Sequence, residues 1–176
     1  MNAKMNRIIK VSKVLNIIAR IIAIALVVGS VAAAVSFFII PSFDFPVSFG
    51  GIYGQEQYIA GASEVQIMMI QTVLYAGVGA ILFFITSFIF KDMSLGNTPF
   101  SAANSNRLKV ISLLLVAYSV VIPPLQLFLS LIISPQASIF ISPINFGLLV
   151  FAAMFFCLAL IFEYGAELQR ESDEML

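Results

Sequence analysis

The sequence predicts an all-α integral membrane four-helix bundle, with both termini cytoplasmic and the third helix kinked at a Pro-Pro pair. Three observations predict it. Of 176 residues, 61% are hydrophobic and 10% charged, and the mean hydropathy is +1.05. A typical soluble domain has roughly 45–50% apolar and about 25% charged residues. A soluble fold of this size has too little interior to hide so much apolar surface, and disorder needs the opposite composition. Second, four stretches reach the roughly 20 apolar residues that cross a hydrocarbon core. Third, every lysine and arginine falls on a segment that four crossings place on one side.

The first span runs from Ile17 to Ile40 and is interrupted only by Arg20, one turn inside, whose long side chain can snorkel to the interface. Pro41 and the Phe43–Pro46 stretch end it. The run exceeds the roughly 7–15 residues of a signal-peptide core, and Phe37-Phe-Ile-Ile-Pro41 is a poor small-residue cleavage site, so a retained helix is expected. Ala25, Gly29 and Ala33 recur every fourth residue and permit close helix approach, with another span of the same chain as the preferred neighbour. The second span, Val65 to Phe90, stops at Lys91-Asp92; it carries Gly77 and Gly79, and Gln66, Gln71, Thr72 and Tyr75 in its outer half.

The third span runs from Leu108 to Ile133 and stops near Pro135. Pro123 and Pro124 lie inside it; each lacks an N–H and clashes with the preceding turn, which predicts a kink or break. Carbonyls freed there need partners, and Gln126 with the Gln71, Thr72 and Tyr75 group are the candidates. The fourth span runs from Pro143, suited to a first turn, to Phe162 and stops at Glu163.

The charges set the orientation. Lys4, Arg7, Lys10, Lys13 and Arg20 flank the first span, Lys91, Arg107 and Lys109 lie between the second and third, and Arg170 follows the fourth. The 41–64 segment carries only Asp44, Glu56 and Glu64, and 134–142 has no charge. The positive-inside rule then places both termini and the 91–107 loop in the cytoplasm, and 41–64 outside.

Histidine is absent and Cys157 is the one cysteine, which removes the commonest general base and any Cys-rich metal site. No phosphate loop, metal motif or nucleophile elbow is present. No catalytic residue, metal or cofactor is therefore expected, and the chain reads as a non-enzyme. Cys157, among Phe155, Phe156 and Leu158, reads as inert packing.

The outer loop is rich in Gly, Pro and aromatics, and Phe43, Phe45, Val47 and Phe49 alternate as in a short strand or an interfacial flap. A lid or ligand-sensing surface is one reading; a connector with its rings at the headgroup level is preferred. In the inner loop, Gly96-Asn97 is turn chemistry and Ser101 an N-cap for a helix feeding the third span, with Asn104, Arg107 and Leu108 near one face. The 163–176 tail is acidic: Glu163, Glu167, Arg170, Glu171 and Glu174 follow helical spacing, and Arg170 is expected to pair weakly with Glu167 or Glu171.

Two stretches carry a resemblance: Gly96-Asn-Thr-Pro-Phe-Ser-Ala-Ala-Asn-Ser-Asn-Arg-Leu-Lys109, and Ile161-Phe-Glu-Tyr-Gly-Ala-Glu-Leu-Gln-Arg-Glu-Ser-Asp-Glu174. Together they resemble a family of small four-helix bacterial membrane proteins classed as a domain of unknown function. That family is often encoded beside a Cro/CI-like helix-turn-helix regulator. The resemblance implies a bacterial inner-membrane protein with a regulatory or sensory role toward a cytoplasmic, DNA-binding partner, itself making no direct contact with nucleic acid. The residues expected to meet that partner are Gly96, Pro99, Phe100, Arg107, Glu163, Glu167, Glu171 and Glu174. Two alternatives stay open: a small transporter, channel or accessory subunit working through the kinked helix, and a structural protein that forms homo-oligomers through the Gly29 stripe. No acidic or basic residue lies deep in any span, which weighs against transport.

Overall fold

The computed structural model describes residues 3–39, 45–51, 54–60, 62–133 and 145–175. Four long helices dominate: α1 (Ala3–Ile39), α2 (Ala62–Ser94), α3 (Ala102–Ile133) and α4 (Phe146–Glu174). Each is long and apolar enough to cross a membrane. The protein is a multi-pass membrane protein whose partner is the lipid bilayer. At 1.5 Å per residue the 37 residues of α1 span about 55 Å, against about 30 Å of hydrocarbon, so its basic start continues the spanning helix into water.

Between α1 and α2 the alternating stretch forms a two-stranded antiparallel hairpin, β1 (Phe45–Gly51) and β2 (Gly54–Ala60), with Phe45 opposite Ala60 and Gly51 opposite Gly54. The strand alternative is thus realised for Phe45, Val47 and Phe49; Phe43 lies outside the described residues. Asn145 caps α4, its Oδ1 accepting from the Leu148 amide at 3.2 Å; Pro143, expected in that first turn, lies outside the described residues.

The bundle is laid out in chain order. α1 packs along α2, α3 along α4, and a smaller contact between α2 and α3 joins the two pairs. The apolar core sits where α2, α3 and α4 meet: Ile89, Leu108, Ile111, Leu115, Ala152 and Ala159 are buried there. Large apolar side chains such as Ile24, Val28, Leu113 and Val150 point outward, as lipid permits.

Two expectations change, and a third is narrowed. The face of α1 against α2 carries Ser12, Ala19 and Ala23, which are buried, whereas Ala25 and Gly29 are exposed and Ala33 is half-buried. The Ala25–Gly29 stripe therefore does not mediate the internal α1–α2 contact. The close approach uses Gly79 instead, where a methyl group would come 3.2 Å from Leu26 Cδ1. Cys157 is exposed on α4 rather than packed inside. Helical backbone continues from Ala102 to Ile133 through both Pro123 and Pro124, so the helix is not broken there. Thr72, a candidate partner for that site, donates to Met68 O in its own helix at 2.8 Å. Tyr75 does reach α3, its ring centroid 5.2 Å from that of Tyr118. The side chain of Gln126 lies outside the described residues.

Candidate functional site

The two stretches that carry the resemblance meet at one end of the bundle. The chain leaves α2 through a turn in which Gly96 takes φ +83°, a left-handed conformation that an L side chain rarely adopts. Pro99 and Phe100 follow, and Ser101 then caps α3, as expected. Its Oγ accepts from the Asn104 amide at 3.2 Å, and its carbonyl accepts from the Ser105 amide at 3.0 Å. Asn104 is fully buried with its groups satisfied: Nδ2 donates to Pro99 O at 3.2 Å and Oδ1 accepts from Arg107 Nη1 at 2.8 Å.

Arg107 fastens this corner to α2. Its Nη1 pairs with Asp92 and donates to Phe88 O at 3.4 Å, while the guanidinium lies 5.6 Å from the Phe88 ring centroid. Both members of the pair are about a quarter exposed, which places it between a weak surface bridge and a costly buried one. Two residues on, Lys109 Nζ donates to both carboxylate oxygens of Glu163 on α4, at 3.0 and 2.8 Å.

Phe100 closes the corner on the other side. Its ring packs edge-on against Phe162 with centroids 5.3 Å apart. It also covers Gly165 so closely that a methyl group there would fall 2.6 Å from Phe100 Cδ1. Gly165 thus serves as the flat floor on which the loop's aromatic ring rests. Beyond it α4 continues free of the bundle, with Glu167, Glu171, Asp173 and Glu174 exposed. Arg170 pairs with Glu174, at 3.2 Å, and not with Glu167 or Glu171 as expected; the i,i+4 geometry is open to it.

Of the residues expected to meet a partner, Gly96, Pro99, Phe100, Arg107 and Glu163 are drawn together by contacts within the chain. Glu167, Glu171 and Glu174 form a separate exposed array on the last turns. Asp92, Phe162 and Gly165 are structural members of the corner that sequence reasoning did not assign.

Nor did that reasoning find the ladder that joins α3 to α4. Ser105 Oγ donates to Ala159 O at 2.9 Å, Ser112 Oγ to Ala152 O at 2.8 Å, and Ser119 Oγ to Asn145 O at 2.9 Å. The donors are seven residues apart, as are the acceptors in reverse order, the signature of antiparallel helices at coiled-coil pitch. That spacing was readable in the sequence. Elsewhere, an open apolar groove between α1 and α2 is lined by Ala34, Phe38, Met69, Ile70, Val73 and Leu74.

The family model described as "Protein of unknown function (DUF2975)" matches residues 50–175. No curated protein and no solved structure matches the chain. The matched segment contains α2, α3, α4 and the whole corner built around Arg107, Phe100 and Gly165. The chain belongs to this family of proteins of unknown function, DUF2975.

Proposed function

We propose a regulatory protein of the bacterial inner membrane that holds a basic cytoplasmic protein against its acidic α4 tail, with a binding rather than a catalytic role. In this reading both termini and the 95–101 loop are cytoplasmic, following the distribution of lysine and arginine. The observation that carries it is the mounting of the tail. Phe100 on Gly165 and Lys109 on Glu163 fix α4 where it leaves the membrane, so Glu167, Glu171 and Glu174 stand exposed on a helix that is already ordered. A preformed acidic helix loses little entropy on binding and steers a basic partner by long-range attraction. A helix-turn-helix regulator, which must be basic to bind DNA, has the required chemistry. Sequestering it at the membrane would couple the state of the bundle to transcription.

The test is co-purification of a DNA-binding protein with the full chain from its own membranes. Glu167→Gln, Glu171→Gln and Glu174→Gln together are expected to abolish recovery, and raised salt to weaken it, while the chain stays folded. Recovery unaffected by the three substitutions and by salt would overturn the proposal.

A further inference from the structure

Arg7, Lys10, Lys13 and Arg20 on α1 and Lys91 on α2 are exposed and enter no ion pair among the described residues. Three of these cations share one side of the α1–α2 seam. The buried line of α1 passes through Ser12 and Ala19, and Lys13 and Arg20 each follow it by one residue, roughly 100° round the helix. On α2 the contact line passes through Gly79, against Leu26, and Lys91 comes twelve residues later, roughly a third of a turn round in the same sense. On antiparallel helices, equal senses of rotation lead to the same side of the seam. The level agrees as well. Ile9 meets Gly96 and Leu26 meets Gly79, a separation of seventeen residues on both helices, so Lys91 stands about level with Lys13. Arg7 and Lys10 fall on the far side of α1.

Asn16 lies between the α1 cations, three residues after Lys13 and four before Arg20, and therefore on their face of the helix. It is half-buried, and its Oδ1 is buried with no donor among the described residues. An amide oxygen left in that state is costly. Arg20 starts about 10 Å deeper than Lys13, among apolar residues, and its long side chain rises toward water. Lys13 and Lys91 stand at the edge it rises to, where α2 passes from Phe90 to Lys91.

We propose that this side of the seam binds one anionic phospholipid with a hydroxyl-bearing headgroup, of the phosphatidylglycerol class, in the leaflet at the α2–α3 loop end. Lys13, Arg20 and Lys91 supply the charge that the phosphodiester needs. A phosphodiester brings only acceptors, so it serves the cations and leaves Asn16 Oδ1 unpaired; a headgroup hydroxyl donates to that oxygen once the amide turns about its broad terminal torsion. The position at the membrane edge makes a lipid the occupant, with its chains against the exposed apolar side chains of α1, such as Ile17 and Ile24. The site involves neither α4 nor the proposed cytoplasmic partner.

The test uses the full chain in dodecyl maltoside at 0.15 M salt, titrated with dioleoyl phosphatidylglycerol. Bound lipid is counted by native mass spectrometry and the unfolding temperature is followed in parallel. One tightly held lipid and a raised unfolding temperature are expected. Lys13→Gln with Lys91→Gln is expected to weaken binding about thirtyfold. Arg7→Gln with Lys10→Gln removes the same charge from the far side of α1 and is expected to weaken it no more than about threefold, because charges a helix diameter away are screened. Dioleoyl phosphatidylmethanol, equal in charge but without headgroup hydroxyls, is expected to bind the unaltered chain more weakly, and Asn16→Ala to erase that difference. Equal losses from the two double substitutions, equal binding of the two lipids by the unaltered chain, or stabilisation by phosphatidylcholine or inorganic phosphate to the same extent would each overturn the proposal.

Discussion

Gly165 decides the corner because it has no side chain. Phe100 occupies the space in which a Cβ would sit, so Gly165→Ala forces the ring off Phe162 and lifts the loop from α4. Overpacking of this kind costs about 1–3 kcal/mol. The expected result is a lower unfolding temperature in detergent and faster proteolysis between Leu95 and Ser101. Adding Phe100→Ala to Gly165→Ala should recover part of the loss compared with the sum of the single changes; simple additivity would show that the two residues do not share the contact. At this scale the sequence was legible where local chemistry rules. The Ser101 cap and the Gly96 turn follow from short-range hydrogen bonding and φ preference alone. The seating of Phe100 on Gly165 depends on residues more than sixty positions apart, and nothing local specifies it.

The helices themselves were legible as apolar runs, but their faces were not. In water the inward face of a helix is the apolar one; in lipid both faces are apolar, so periodicity no longer tells inside from outside. That is why the Ala25–Gly29 stripe looked like an internal seam and instead lies exposed, and why Cys157 faces outward. What marks the inward face of α3 is a polar pattern, Ser105, Ser112 and Ser119, each donating to a carbonyl of α4 or of its cap Asn145. Interhelical hydrogen bonds in membranes average about 0.6 kcal/mol. Ser112→Ala is therefore expected to cost about that much in reversible unfolding from mixed micelles, whereas Ser112→Leu, which cannot fit against Ala152, should cost several times more. Equal effects from the two changes would mean that α3 and α4 are not in close contact at that level.

The whole molecule is organised by charge. Lysine and arginine gather at one end of the helices, the tail and loop fold together there, and the hairpin connects α1 to α2 at the other end. The ion pairs at the corner draw on that asymmetry: Arg107, read in sequence as a topological signal and a partner contact, and Lys109, read as a topological signal, bind α2 to α3 and α3 to α4 through Asp92 and Glu163. The same end would then serve three tasks, namely setting topology, fixing the corner and presenting the acidic tail. All depend on which side of the membrane it faces. Single cysteines placed at Asn6, Gln55 and Ser172 in a Cys157→Ala chain, probed in intact cells with a maleimide that cannot cross the membrane, test this most directly. The hairpin position Gln55 is expected to react at once, and Asn6 and Ser172 only after the membrane is opened. Labelling of Asn6 or Ser172 in intact cells would contradict the arrangement.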